Sequence, residues 1–318
     1  MEMGIPIYDL ILLVFQVITF ILYFGIAIIM FFNIGSKETN PPYSSFPTHF
    51  MANCISDFII FILLELLVRC PRYGFLIEYY LKHDWVAFGY DGFIYSSVLL
   101  SIFSNFIIVM NRYFSLVHGI KYKTKWNSKV SCIIIVVQFA LAFMLFFHTY
   151  FFDAPFGLSA DGTYYSFQVT NWSITKVDRS IMIIVSILII MAICVLNCLI
   201  FHNLKLPKFA TAKTSAARKR NSFIIYSIAV LISLFFILGQ QVMQLYAVSN
   251  FDANLKYRMT LALSYIIPAS ISFHPYLMLY VNLDIRNMIM CMAGNFKTRT
   301  ENRTISDRGL ATRTVIIR

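Results

Sequence analysis

The stretch Leu10–Phe32 reads LILLVFQVITFILYFGIAIIMFF. It holds no charged residue, and it is longer than the roughly 20 residues that a helix needs to cross the hydrocarbon core of a bilayer. It is too long for a signal-peptide core and has no small-residue cleavage site, so it reads as a retained first span. Comparable uncharged runs recur at Phe93–Asn111, Val130–Phe152, Ile181–Leu204, Phe223–Phe251 and Met259–Leu283, and Phe50–Val68 is interrupted only by Asp57 and Glu65. Unbroken runs, rather than the alternation of a membrane β-barrel, favour helices, which satisfy their own backbone polar groups in lipid. The pattern predicts an all-α membrane protein, a seven-transmembrane-helix bundle with spans at about 8–32, 49–68, 91–113, 130–152, 180–204, 222–248 and 258–282. After the last run, Ile285, Met288, Ile289 and Met292 repeat at helical spacing, which predicts an amphipathic surface helix over about 284–293. Residues 1–294 would form one membrane domain, with 295–318 a basic, disordered tail.

Composition agrees with this reading. Of the 318 residues 59% are hydrophobic and 13% charged, against about 45–50% and about 25% in soluble domains. A net charge of +11 raises nucleic acid as a partner, but the basic residues lie between and after the apolar runs. Counted by alternate loops, nineteen of the 26 Lys and Arg fall on the side that holds the tail. Positive charge stays cytoplasmic during insertion, so the N-terminus is expected outside and the C-terminus inside a multi-pass plasma-membrane protein that does not bind nucleic acid. The six cysteines offer no disulfide framework: Cys54, Cys132, Cys194 and Cys198 sit in or at the ends of apolar runs, and Cys70 is the one facing outside. Cys291 is a palmitoylation candidate beside the surface helix. Asn171-Trp172-Ser173 is a glycosylation triplet in the longest outer segment, Asp153 to Arg179.

The third run ends in Asn111-Arg112-Tyr113, followed by Lys121-Tyr122-Lys123-Thr124-Lys125-Trp126. An arginine at the inner mouth of a bundle pairs across helices or snorkels to the interface. Asp57 follows Asn53 by one helical turn, and a charge in lipid is costly enough that it should face the bundle interior. Pro275, next to His274 and five residues before Tyr280, should kink the seventh span.

Asn111-Arg112-Tyr113 at this depth resembles the acid-Arg-Tyr motif of rhodopsin-like G-protein-coupled receptors. With Lys121-Tyr122 and Trp126, it is similar to the nematode serpentine chemoreceptors, class V or class gamma. The resemblance covers the seven-span plan along nearly the whole chain, though its motifs are short. It implies a chemosensory receptor that binds a small molecule or short peptide in the outer bundle and activates a heterotrimeric G protein. Arg112 would contact that G protein, Asp57 would sit where the family has its sodium-linked aspartate, and His274-Pro275 with Tyr280 would stand for an Asn-Pro-x-x-Tyr switch. The chain also departs from the mainstream pattern. Asn111 cannot make the acid's charge pair with Arg112, the sixth span has no Cys-Trp-x-Pro, and the second outer segment has no cysteine for a bridge to the third span.

Ligand-pocket candidates are the polar groups in the outer halves of spans: Glu65, Asp91, Tyr95, His148, Gln240, Gln241, Gln244 and Tyr265. Such pockets are mostly apolar with a few placed polar groups. His148, alone on an apolar run, reads as structural. A transporter or ligand-gated channel stays open as the alternative, although only Asp57 and Glu65 are charged within the apolar runs and no duplicated halves are visible. No metalloprotease, paired-aspartate or Ser-His pattern supports an enzyme. No metal or cofactor is implied, and a retinal Schiff base is excluded because Met259–Leu283 has no lysine.

Overall fold

The computed structural model describes residues 6–33, 46–118, 122, 126–158, 164–168, 171–204, 215–281 and 286. The surface helix expected over 284–293 (Arg286 apart), Cys291 and the tail 295–318 lie outside the described residues.

The chain runs through α1 (Ile7–Asn33), α2 (Phe46–Leu64), a π-helical turn (Glu65–Arg69), α3 (Cys70–Arg72), α4 (Ile77–Lys82), α5 (Trp85–Val117), α6 (Ser128–Leu145), a 3₁₀ turn (Phe147–Phe151), strands β1 (Phe156–Leu158) and β2 (Tyr165–Phe167), α7 (Trp172–Leu204), α8 (Ser215–Ser249) and α9 (Ala253–Val281). Six helical stretches are long and apolar enough to cross a membrane, and a seventh apolar helix, Lys129–Leu145, is shorter. The second span continues unbroken through the π turn to Arg72.

Several helices begin earlier than the apolar runs alone predict. Asn171 Oδ1 accepts from Ile174 N–H at 3.2 Å, and Asp252 Oδ1 accepts from Leu255 N–H at 2.8 Å. These side chains satisfy orphan amide donors and so start α7 and α9 upstream of the hydrophobic stretch. Asn127 caps α6 in the same way, at 3.0 Å from Val130 N–H. The fourth span is shorter than 130–152: its α-helix ends at Leu145, and His148 lies in the 3₁₀ turn beyond it.

The burial pattern differs from that of a soluble bundle, because apolar side chains cover the outside as well as filling the core, and small polar residues are buried among them. Ile133, Val136 and Met144 of α6 and Ile184, Leu188 and Met191 of α7 are exposed, whereas Ser96, Ser97, Ser101, Ser104 and Asn105 of α5 are buried. With apolar lipid outside, helix association relies on close packing and interhelical hydrogen bonds instead of apolar burial. α5 is the central helix and packs on α2, α6 and α7. Ser104 Oγ donates to Ser56 Oγ at 3.1 Å and also accepts from Gln138 Nε2, which ties α2, α5 and α6 together.

At the end of the bundle that holds Arg69, β1 and β2 form an antiparallel hairpin, with Phe156 opposite Phe167 and Leu158 opposite Tyr165. No strands were expected there from sequence. The hairpin is fastened by aromatic packing: Phe167 stacks on Tyr90 at 4.5 Å between ring centroids and meets Tyr80 edge-on at 5.4 Å. Tyr80 donates from its hydroxyl to Leu66 O at 2.6 Å, and burial pushes that hydroxyl's pKa up to about 12, so it stays protonated as a donor. The described cysteines Cys54, Cys70, Cys132, Cys194 and Cys198 are all free. The aromatic cluster therefore supplies the anchor that a disulfide would otherwise give.

Candidate functional site

Arg112 lies near the C-terminal end of α5. Its guanidinium carbon sits 4.3 Å from the ring centre of Tyr226 on α8 and 4.9 Å from that of Phe46 on α2, and Nη2 donates to Met278 Sδ on α9 at 2.7 Å. Three other spans thus converge on one cation, and none of them offers it a carboxylate among the described residues. Each cation–π contact contributes about 0.5–2 kcal/mol, more where water is excluded. The neighbouring Asn111 turns away from Arg112: its Oδ1 accepts from Tyr122 O–H at 2.5 Å. Trp126 then packs on Tyr122 and Phe114 and donates from Nε1 to His49 Nε2 at 3.2 Å. Tyr113 is buried against Phe114 and His118.

Asp57 is fully buried in the middle of the bundle. It accepts from Ser101 O–H on α5 at 2.7 Å, from Asn53 Nδ2 one turn earlier on α2 at 3.0 Å, and from Tyr23 O–H on α1 at 3.2 Å. Three donors, one from each of α1, α2 and α5, are what make a carboxyl group tolerable here. A contiguous path leads from Asp57 towards Arg112. The Tyr23 ring packs 6.4 Å from His274, His274 Nδ1 lies 3.3 Å from the Tyr226 hydroxyl, and the Tyr226 ring underlies the guanidinium. Asn53, Asp57, His274 and Arg112 therefore lie along one contiguous chain of contacts. Tyr280 does not: it is 69% exposed on the outside of α9, and Met278 occupies the inward position instead.

The opposite end holds a second arginine centre. Arg69 is 2% exposed, although it directly follows the apolar run that ends at Val68, where an outer loop is expected to begin. Its guanidinium donates to Glu65 Oε1 at 2.5 Å, to Gln16 Oε1 at 3.2 Å and to the Ser264 carbonyl at 2.5 Å, and it lies over the Tyr265 ring at 4.7 Å. The carbonyl is available because Pro268, four residues on within α9, has no N–H to bond it. Glu65 and Tyr265, expected to line a pocket, belong to this closed cluster. Tyr265 O–H donates to Asp9 Oδ1 at 2.7 Å, and Tyr73 O–H donates to Asp9 Oδ2. Burial, with the Asp9 carboxylate beside it, raises the pKa of Tyr73 and keeps it a donor.

The remaining pocket candidates form another group at the same end. Tyr95 is buried on α5 with the guanidinium of Arg179 over its ring at 4.4 Å, and Arg179 Nη1 donates to Gln241 Oε1 at 2.6 Å. Gln240 Nε2 donates to Met259 O at 2.8 Å, and Gln244 Nε2 to Thr260 Oγ1 at 3.0 Å. His148 is neither within a span nor alone, since its Nε2 lies 2.8 Å from Asp178 Oδ1. Asp91 and Asp178 help to line a small cleft of about 10 Å³, room for about one water molecule.

Seven apolar helices packed around buried polar groups, a buried aspartate, and an Asn-Arg-Tyr stretch at one mouth make a receptor-like arrangement. A family model described as serpentine type 7TM GPCR chemoreceptor Srv matches residues 12–295. The chain belongs to that family. It is a seven-helix chemoreceptor of the G-protein-coupled type, a receptor family and not an enzyme family. A comparison with curated proteins finds no match. Among the Srv chain's interior residues, sequence reasoning missed Arg69, Tyr226, Tyr23, Ser101 and Arg179 as parts of these centres. Tyr122 and Trp126 had been quoted only for resemblance.

Proposed function

We propose that this Srv chemoreceptor binds a small molecule or short peptide in the half of the bundle around Tyr95, Gln240 and Gln244. It then activates a heterotrimeric G protein at the end that carries Arg112. The Arg112 end is cytoplasmic in this reading and the N-terminus is outside, in the plasma membrane. The loop distribution of Lys and Arg supports that orientation. In the same orientation Asn171 lies on the side where glycosylation takes place, although it is half-buried and its Oδ1 also caps α7.

The observation that carries the proposal is the cage around Arg112. A guanidinium held by Tyr226, Phe46 and Met278 is stabilised by three helices without being committed to an acid. Outward movement of α8 takes the Tyr226 ring away, breaks its contact with His274, and leaves five N–H donors facing the cytosol. Those donors match backbone carbonyls or a carboxylate at the end of a G-protein helix. A ligand drives this change only through unequal affinity for the caged and open states.

The test is Arg112→Ala at wild-type surface density. Ligand-triggered second-messenger output should fall to background. Ligand-dependent current or uptake in cells lacking G proteins would favour the transporter or channel reading instead.

A further inference from the structure

The group around Arg179 has more buried hydrogen-bonding capacity than the protein itself uses. Arg179 is 3% exposed and Tyr95 1%, and Gln241 is fully buried. Arg179 Nε, the Tyr95 hydroxyl and Gln241 Nε2 have no hydrogen-bond partner among the described residues. A buried donor left unpaired keeps its full desolvation penalty, which a well-placed acceptor on a ligand would offset. Three donors on α5, α7 and α8 therefore meet where Arg179 lies over Tyr95 and bonds Gln241.

Asp91 and Asp178 lie close enough for their charges to reach Tyr95, and that of Asp178 to reach Arg179, but they form no ion pair with this group. Asp178 contacts His148 at 2.8 Å, and Asp91 interacts with Lys256. Neither ion-pairs with Arg179, which has no carboxylate within 4.0 Å among the described residues. The cleft lined by Asp91, Asp153 and Asp178 repels anions, so the seat for a negative group is the inward face that Arg179, Tyr95 and Gln241 share. On the neighbouring face of α8, the Oε1 atoms of Gln240 and Gln244 also lack partners among the described residues, two acceptors suited to a hydroxyl or amide N–H on the same ligand.

We infer that the ligand of this receptor is a small organic carboxylate, its anionic oxygens held by Arg179, Gln241 and Tyr95. A planar carboxylate offers about four lone-pair directions in one plane, and an arginine edge with two flanking donors matches that geometry. The inference rests on the outer-bundle binding site proposed above and names the class of molecule that fills it.

The test uses the purified full-length receptor in lipid nanodiscs. The probes are propionate through octanoate, lactate and benzoate, each paired with its methyl ester. Thermal midpoints give binding without any G protein, and the same compounds are applied to intact cells with a second-messenger readout. At least one carboxylate should raise the midpoint where its ester does not. Arg179→Gln should weaken that apparent affinity by about 100-fold, the scale for losing one partner of a buried charged contact. Gln241→Glu guards against misfolding, because the new carboxylate keeps the bond to Arg179. Its midpoint without ligand should match or exceed the wild type, while the carboxylate shift disappears. If no carboxylate produces an ester-discriminating shift, or if the shift survives in Gln241→Glu, the inference is overturned. A carboxylate shift without second-messenger output leaves the site standing and sinks the signalling proposal. Output triggered only by esters or amines does the reverse.

Discussion

Two arginines at opposite ends of the bundle are satisfied in opposite ways. Arg69 meets a carboxylate, a side-chain amide and a backbone carbonyl that Pro268 leaves free, and it joins three spans through geometrically demanding bonds. Arg112 meets two aromatic faces and a thioether, contacts that tolerate sliding and have no charge to strand. Breaking a buried charged pair is expensive on both sides. Lifting a guanidinium from a ring costs less, and near a membrane surface water recovers part of it. The same residue type is thus held by directional polar bonds at one end (the rivet) and by softer contacts at the other (the latch), the contrast on which the proposed switch at Arg112 rests.

The largest break of this comparison comes at the rivet. Arg69→Met strands Glu65 and the Ser264 carbonyl, and should lower unfolding free energy by about 3–5 kcal/mol in denaturant titrations of the micelle-solubilised receptor. Arg69→Lys should recover less than half, since one ammonium cannot reproduce the planar fork that serves Glu65 and Ser264 together. Glu65→Leu combined with Arg69→Met should regain most of the loss, because no unpaired charge remains. A double variant as unstable as the single one would show that Arg69 acts by packing instead of charge.

At the latch the effect should appear in signalling instead of folding. Tyr226→Leu removes one cation–π face and the contact with His274. It should favour the open state by about 1 kcal/mol, raising ligand-independent second-messenger output about five-fold. Tyr226→Phe keeps the ring and should stay close to wild type. Equal output from both variants would mean that the His274 contact, and not the ring, holds the latch.

How far these centres could be read from sequence depends on what kind of information each requires. Spans follow from hydropathy, and Asp57 with Asn53 follows from the one-turn spacing and the cost of an unpaired charge in lipid. The partners Tyr23, Ser101 and Tyr226 depend on how each helix is rotated about its axis against its neighbours. A single apolar sequence carries almost no signal for that, because lipid-facing and buried positions are both hydrophobic. Arg69 was missed for a local reason: the apolar run ends at Val68, and only the π turn with the proline-freed carbonyl of Ser264 makes the next residue a buried one. The cap residues Asn171 and Asp252 were legible in principle as helix starts upstream of their runs.

The smallest expected effect tests whether the latch can be turned into a rivet. Asn111→Asp restores an acid beside Arg112, the arrangement that the motif's relatives carry. Adjacent residues on a helix do not face each other, and Tyr122 O–H already occupies Asn111 Oδ1. The new carboxylate should keep that bond in a stronger, charge-assisted form. It should add only a partly screened attraction to Arg112, on the order of 0.5 kcal/mol. Ligand-independent output should therefore fall about two-fold, with the ligand's maximal response intact. A combined Asn111→Asp and Tyr122→Phe variant frees the carboxylate to turn towards the guanidinium, so its output should fall further. If removing the tyrosine hydroxyl raises output instead, the bond from Tyr122, and not the charge, is what keeps the inner mouth closed.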